Sequence, residues 1–315
     1  MPKLSVLMSV YNEKENEIKS AVSSVIHQTY TDFELIIVCD NPQSEEQCRL
    51  LKSIADTDER IKVVRNEKNI GLAMSLNHAY EFATGDYIVR MDADDISESD
   101  RFQKQIEFMS ETKCDLAWSS YTYIDEDGNV LDKPVRYFEK DEIPKCLPLK
   151  NIIHHPTVMM KREIFEKTGL YRDFPCSQDY DLWLRMLYAG ADMRMMKEEL
   201  LKYRVRPNSV TNKKRYQQIC TLHYIRRLYS ERCRTGNDSY SYEAYLEYIK
   251  KCGVGNAETE ADFFKANQLV VDGKKKIKSR KLFTGMIDIV HAFLISKVYR
   301  EQIPLLIKRG RMKSL

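Results

Sequence analysis

No run of about eighteen uncharged apolar residues occurs in the 315-residue sequence, so no membrane-spanning helix is expected. The nearest approach, residues 282–298, is interrupted by Asp288, His291 and Lys297. Nor is there a Cys-x-x-Cys pair. Cys39, Cys48, Cys114, Cys146, Cys176, Cys220, Cys233 and Cys252 are dispersed, which argues against a zinc site and against a disulfide-stapled secreted scaffold. The first residues run straight into a strand pattern with no signal-peptide features, and reduced thiols in the cytoplasm are the expectation. No Gly-x-Gly-x-x-Gly follows the first strand, and no Gly-x-x-x-x-Gly-Lys-Ser/Thr loop occurs, which argues against a dinucleotide site and a P-loop. Tandem repeats and low-complexity segments are also absent.

An apolar content of 43% and a charged content of 31% describe an ordinary soluble protein, long enough for one large domain or a catalytic domain with an appendage. The net charge of +3 hides an asymmetry. Residues 273–315 carry twelve Lys or Arg against two acids, so that end is +10 and the remainder −7. A basic end on a mildly acidic body suggests an anionic surface as partner. A membrane is expected rather than nucleic acid, because the tail lacks the interleaved aromatics that stack on bases.

The first hundred residues alternate strand and helix. Strands are expected at 3–10, 33–39, 61–65 and 86–90, with helices at 17–27, 44–55 and 72–83. Ile18, Ala21, Val22, Val25 and Ile26 share one helix face. Solidly apolar strands in this rhythm imply a parallel sheet covered on both faces. In such sheets ligands sit beyond the carboxyl ends of the strands. Every end here is polar: Ser9, Tyr11, Asn12 and Glu13, then Asp40 and Asn41, then Asn66 and Asn69, then Asp92-Ala93-Asp94-Asp95. Three carboxylates within four residues repel one another and are costly to bury. They form either an acidic turn capping the next helix or a site for a hard divalent cation, which prefers oxygen ligands. Four polar strand ends on one rim favour the site.

Further along, a helix is expected from about Arg101 to Met109, capped by Ser97 or Ser99. A strand follows at 115–123. Asp125-Glu126-Asp127-Gly128-Asn129 reads as a solvated hairpin turn. His154 and His155 are neighbours on an extended segment and point to opposite faces, so they do not readily share one ion. Leu182, Trp183, Met186 and Leu187 form an apolar helix face with Asp179 at its start. Arg204 and Arg206 flank Val205, and one of them can face phosphates. Beyond 213 the pattern is helical. A stripe of Met286, Ile287, Ile289, Val290, Phe293, Leu294 and Val298 is expected to pack inward, and the basic residues Lys308, Arg309, Arg311 and Lys313 to attract a membrane.

Ser5-Val6-Leu7-Met8-Ser9-Val10-Tyr11-Asn12-Glu13, Ser24-Val25-Ile26-His27-Gln28-Thr29-Tyr30, Phe33-Glu34-Leu35-Ile36-Ile37-Val38, Asn69-Ile70-Gly71, Gly85-Asp86-Tyr87-Ile88 and the Asp92–Asp95 cluster carry a resemblance. In this order and spacing, from residue 3 to about residue 212, the chain resembles glycosyltransferase family 2. The resemblance implies the GT-A fold: a Rossmann-like, mostly parallel α/β sheet flanked by helices, here with a C-terminal helical extension. It divides the chain into a catalytic domain at 1–212, with a nucleotide-sugar half at about 1–112 and an acceptor half at about 113–212, and a helical region at 213–315. It places the donor, with UDP as the expected nucleotide, against Ser9, Tyr11, Glu13, Asp40, Asn69, Asp92, Ala93, His155 and Arg204. It places a Mn²⁺ or Mg²⁺ ion on Asp94 and Asp95. Where the family usually has Asp-Asp-Gly-Ser after the second strand, this sequence has Cys39-Asp40-Asn41-Pro42. Ser177-Gln178-Asp179-Tyr180-Asp181-Leu182-Trp183 is similar to the family's Glu-Asp-Tyr-Asp-Leu-Trp, which makes Asp179 the catalytic base and leaves Asp181 structural.

The Gln-x-x-Arg-Trp signature of processive synthases is absent, which implies transfer of single sugars; the resemblance, with a single base, implies inversion and a glycan or lipid-linked acceptor in cell-surface polysaccharide biosynthesis. A hexosyl- or hexosaminyltransferase at the inner face of the plasma membrane is the expectation. Two alternatives are a sugar-phosphate nucleotidyltransferase, which should carry a Gly-rich basic loop where this chain has Tyr11-Asn12-Glu13-Lys14-Glu15, and a non-catalytic nucleotide-sugar-binding protein.

Overall fold

The computed structural model describes residues 3–206, 214–296 and 298–300. The basic residues Lys308, Arg309, Arg311 and Lys313, and the segment after Arg206 in the closing element, lie outside them. The chain divides into two compact units, Met1–Ser209 and Val210–Leu315.

The first unit is built on one mixed sheet. Strands β1 (Leu4–Val10), β2 (Phe33–Cys39), β3 (Ile61–Arg65) and β4 (Tyr87–Arg90) run parallel, in the spatial order β3-β2-β1-β4. Three helices return the chain between them: α1 (Glu15–Ile26), α2 (Glu45–Ala55) and α3 (Gly71–Tyr80). This is the parallel α/β half that the alternating pattern predicts. Ile18, Ala21, Val22 and Val25 of α1 are buried on a core that includes Val6, Met8, Leu35 and Ile37. Each such aliphatic side chain contributes about 1.5–3 kcal/mol through removal from water.

Beyond β4 the sheet turns mixed. Strand β8 (Val158–Lys161) pairs antiparallel with β4, and β6 (Leu116–Ile124) antiparallel with β8. Strand β9 (Met193–Arg204) runs parallel to β6, and the two-residue β5 (Ile96–Ser97) closes the edge antiparallel to β9. A short β7 (Val130–Leu131) makes a hairpin with β6. Ser97 is therefore a strand residue opposite Leu201, not a helix cap. The helix α4 (Arg101–Thr112) starts after Asp100 without a side-chain cap, because pairing with β9 claims the segment first.

Register sets the shape of the rim. Val10 lies opposite Cys39, and Cys39 opposite Arg65, so β1, β2 and β3 end level. Arg90, the last residue of β4, pairs with Leu7. The acidic run after β4 thus leaves the sheet beside the end of β1. Close packing at the other end of β4 requires Gly85. A Cβ there would sit 2.7 Å from the backbone of Leu4, Lys3 and Ser5, and the Gly85 amide donates to Ser5 Oγ at 2.8 Å.

The remaining helices of the first unit are α5 (Ile143–Cys146), α6 (Arg162–Lys167) and α7 (Gln178–Tyr188), with a single 3₁₀ turn at His155–Thr157. The second unit is helical: α8 (Arg215–Thr235), α9 (Tyr242–Cys252), α10 (Ala257–Lys278) and α11 (Leu282–Ile295). Helix α10 runs on through Gly273, which is a contact point rather than a stop. A Cβ on it would meet Gly285 O of α11 at 2.6 Å. The apolar stripe expected to pack inward is only partly buried. Val298 is covered and Ile289 and Phe293 are half-buried, whereas Met286, Ile287, Val290 and Leu294 are exposed, because α11 meets α10 through its small-residue side.

Candidate active site

The four strand ends converge as expected. The Tyr11 amide donates to Glu13 Oε2 at 2.7 Å, so the turn after β1 folds the Glu13 carboxylate back onto its own backbone. Tyr11 is 45% exposed, while Glu13 is partly buried. Burial, helped by the Asp92 charge, pushes Glu13 above the usual carboxylate range, against two backbone hydrogen bonds and Arg206. Asn41 Nδ2 donates to Tyr11 O at 3.0 Å and ties the β2 loop to the β1 loop. Ser9 is partly buried on the same rim, and Asn69 is exposed at the mouth of the β3 loop.

Asp40 is at the rim but is used by the fold. It is buried, and its carboxylate accepts from Asn66 Nδ2 and the Ile70 amide at 2.8 Å each, and from the Gly71 amide at 2.9 Å. It thereby caps the start of α3, where the helix dipole favours an anion. Gly71 is needed there because its φ is +80°.

The acidic cluster splits three ways. Asp92 accepts from Arg90 Nη2. Asp94 Oδ2 pairs with Arg206 Nη2 at 2.9 Å, and the same nitrogen pairs with Glu17 Oε2 at 2.9 Å. Asp95 is 0% exposed; its Oδ1 accepts the Arg204 amide at 2.8 Å, and its Oδ2 is buried without a hydrogen-bond partner. Asp95 was expected beside Asp94 as a metal ligand. The structure turns it inward, away from the rim, where the charges of the buried Arg90 and Arg101 act on it. Ala93 is likewise buried, so it can offer a ligand backbone but no side-chain surface.

Two further expectations change. Arg204 does not face the rim: its Nε donates to Asp94 O at 2.9 Å, and its Nη1 to Asp125 O at 3.0 Å and Glu126 O at 2.8 Å. The Asp125–Asn129 turn thus wraps Arg204, and Arg206 is the arginine beside the acids. His155 does not line the cleft. It is buried with Nε2 2.7 Å from the Tyr171 hydroxyl and its ring against Tyr171 and Trp183. His154 takes the rim side, stacked on Tyr121 at 4.1 Å and edge-on to Tyr203 at 4.3 Å. Burial pushes His154 down to about 4, with the Asp92 charge opposing, so the ring is neutral at pH 7.

Asp179 sits at the start of α7, as its position before the apolar helix face predicts. Asn151 Nδ2 donates to its Oδ2 at 2.8 Å. Burial raises its pKa, while Asn151, two backbone amides at the helix start and the Arg90 charge oppose the rise. Ser177, two residues earlier, holds a left-handed φ of +60°, the kind of backbone cost that persists where surrounding packing over-determines it. Asp181 is scaffold: Arg185 Nε donates to it at 2.8 Å, and Arg185 also bonds Thr168 O and Leu170 O.

Arg90 was not singled out from sequence. It is 1% exposed at the end of β4, bonds Met91 O and Asp92, and leaves Nε buried and unpartnered. It pairs with Asp92, and its charge also favours the ionised form of Asp179. An arginine closing an otherwise apolar strand beside three acids was the available signal.

The donors at the rim are all oxygens, and one is electrostatically strained. Burial, then the Asp92 charge, pushes Asp94 up to about 7 despite Arg206. A divalent cation relieves that crowding, so the residues fit one. No group of three His, Cys, Asp or Glu among the described residues forms a closed cage. Ions of the Mg²⁺ type are commonly held by one or two carboxylates plus substrate phosphates. The strain has a measurable sign. The folded state holds the Asp94 proton more tightly than the unfolded chain, so without divalent ion stability should fall as pH rises from about 4 to about 7. At pH 8 in EDTA, Asp94→Asn should therefore melt higher than the wild type. A lower melting temperature for the variant would sink this account.

A family model described as glycosyl transferase family 2 matches residues 5–169. The chain is 34% identical over 250 residues to the uncharacterized glycosyltransferase MJ1057 of Methanocaldococcus jannaschii, covering 78% of this chain and 86% of that one. It is 32% identical over 250 residues to the O-antigen biosynthesis glycosyltransferase WbnJ of Escherichia coli, covering 78% and 97%. It is 31% identical over 220 residues to the amylovoran biosynthesis glycosyltransferase AmsE of Erwinia amylovora, covering 68% and 81%. Among solved structures, S. aureus TarS 1-349 in complex with UDP-GlcNAc matches with a TM-score of 0.57 at 14% identity, over 78% of this chain and 70% of that one. The same protein in complex with UDP matches with a TM-score of 0.58 at 14% identity, over 95% and 91%. The architecture is that of a GT-A glycosyltransferase. Within that class, the chain belongs to glycosyltransferase family 2.

Proposed function

We propose that this enzyme moves one sugar, with inversion, from a nucleoside diphosphate sugar to a hydroxyl of a glycan or lipid-linked saccharide in cell-surface polysaccharide assembly. The observation that carries the reading is a crowded acidic rim, where Asp94 pairs with Arg206, together with a single buried carboxylate, Asp179, held at the start of α7 by Asn151. The UDP-sugar bound by TarS favours UDP as the nucleotide and a hexosyl or hexosaminyl donor. The names of WbnJ and AmsE favour a polysaccharide acceptor.

In this scheme the nucleotide lies across the ends of β1, β2 and β3, against Ser9, Tyr11, Glu13 and Asn69, while Asp40 shapes the β3 loop. The diphosphate meets Asp92, Asp94 and the backbone at Ala93. Mn²⁺ or Mg²⁺, held by Asp94 with Asp92 beside it, would supply Lewis-acid stabilisation of the departing diphosphate. Arg206, next to Asp94, is the protein's own cation for those oxygens. His154, stacked on Tyr121 with Tyr203 edge-on, forms an aromatic wall for the sugar. Asp179 accepts the proton of the acceptor hydroxyl as its oxygen bonds the anomeric carbon and the bond to the diphosphate breaks on the opposite side. One base and one leaving group on opposite faces produce inversion, with no covalent intermediate. A basic C-terminus would keep the enzyme at the inner face of the plasma membrane.

A thermal-shift panel of UDP-, GDP- and dTDP-sugars, each with and without Mn²⁺, tests the reading. A ligand at 100 times its Kd stabilises by about 2.7 kcal/mol, which is several degrees for a chain of this size. UDP-sugars with Mn²⁺ should produce the largest shift. Absence of a shift with every nucleoside diphosphate sugar defeats the proposal.

A further inference from the structure

Helix α11 carries an apolar face that the fold leaves open. Leu282, Phe283, Met286, Ile287, Val290 and Leu294 are all exposed, Phe283 at 78% and Leu294 at 69%. At 3.6 residues per turn these six fall within one sector about 140° wide. The opposite side of the helix is already used. Gly285 and Gly273 bring α11 and α10 into backbone contact, Ile289 packs at that crossing, and Asp288 pairs with Lys276 Nζ at 2.7 Å. The open face is therefore no part of the contact between α10 and α11. Its size matters, because single exposed apolar residues are ordinary and contiguous patches are not.

Charge identifies the occupant. Lys274, Lys275 and Lys278 at the end of α10, with Arg280 and Lys281 in the turn, are all exposed and lead directly into Leu282 and Phe283. The one acid on α11, Asp288, is already paired with Lys276. A second copy of the chain would bring the same cations to the contact with no counter-charge on this face. An anionic lipid surface supplies both partners, acyl chains for the apolar sector and phosphate headgroups for the cations. The 14 residues of α11 span about 21 Å, short of the roughly 30 Å of a bilayer core, and no described helix is long and apolar enough to cross a membrane.

We propose that α11 lies in the plane of an anionic bilayer surface, with its Leu282–Leu294 face in the acyl boundary and the Lys274–Lys281 cations at the headgroups. This deepens the membrane part of the function proposed above. It assigns the contact to a helix face rather than to the basic tail, and it is independent of the transfer chemistry.

Co-sedimentation of the full chain with phosphatidylcholine vesicles, with and without 30% phosphatidylglycerol, tests it. The wild type should bind the anionic vesicles and lose binding in high salt. Phe283→Asp combined with Met286→Asp should weaken binding about a hundredfold with an unchanged circular dichroism spectrum, since both positions are exposed. Arg280→Gln and Lys281→Gln should each weaken it about fivefold. Neutralising Lys308, Arg309, Arg311 and Lys313 should leave the face-dependent part in place. Binding that is lost only in that tail variant overturns the proposal, as does a concentration-dependent dimer that the Phe283 and Met286 changes dissociate. Transfer to a soluble acceptor, measured in parallel, reports the catalytic reading separately.

Discussion

Asp179→Asn is expected to lower kcat by about 10²–10⁴-fold while leaving donor affinity within about twofold, the range over which general-base catalysis contributes. Asparagine keeps the shape and can still meet Asn151, so α7 should keep its start and the protein its melting temperature. What it loses is the ability to accept a proton. In the proposed scheme the nucleotide sugar is held by the rim at the strand ends and not by α7, so thermal shifts by donor should be the same in variant and wild type. The pH profile adds a second readout. Burial holds Asp179 above the usual carboxylate range, with Asn151, the helix-start amides and Arg90 opposing. The base works only when ionised, so activity should be lost as pH falls through that raised pKa. Asn151→Ala removes one of the groups that favour the ionised form, and should move the acid limb further up. Transfer that survives in Asp179→Asn refutes the assignment of the base.

Arg101→Met should lower stability by about 3–5 kcal/mol, or about 10 °C in Tm, because it strips a cation from a fully buried polar cluster. Arg101 is 0% exposed. Its Nε donates to Gln105 Oε1 at 2.9 Å and its Nη2 to Arg90 O at 3.0 Å, and its charge faces the equally buried Asp95. Methionine fills a similar volume, so the loss is electrostatic and hydrogen-bonding rather than a cavity. The variant separates scaffold from site. If Asp95 and Arg101 are scaffold, folded Arg101→Met protein at low temperature still shows Mn²⁺-dependent donor binding. Unchanged stability with abolished Mn²⁺ dependence would instead return Asp95 to the metal site.

The strand ends were legible because their chemistry is periodic. Strands β1, β2 and β4 are largely apolar and each of the four strands stops at a polar cluster, a pattern that needs no knowledge of neighbours. The place of Asp179 at the start of α7 was legible for a similar local reason, as an acid at the head of an amphipathic helix, while its role as base rests on the family resemblance. The failures share a cause. Arg204 and Arg206 have the same parity on a strand, so alternation cannot separate them. The distinction comes from the end of β9, where the last ladder bond, Val205 N to Ile124 O at 2.9 Å, leaves Arg204 under the Asp125–Asn129 turn and Arg206 free to reach the acids. His154 and His155 point to opposite sides, as expected for neighbours, but which side is the cleft depends on where Tyr121, Tyr203 and Trp183 stand.

By itself, the order of residues determined the α/β rhythm, the edge at which polar groups collect and the family to which the chain belongs. Those follow from periodicities of two and 3.6 residues and from motifs read along one segment. Tertiary structure alone decided which acid of Asp94 and Asp95 faces solvent, that Asn151 holds Asp179, that Asp40 is a helix cap, and that the α11 stripe is open. Each of these depends on a contact between segments far apart in sequence, such as Asp95 with the Arg204 amide or Gly273 with Gly285 across a turn. Burial and the charges it brings together arise only when such segments meet.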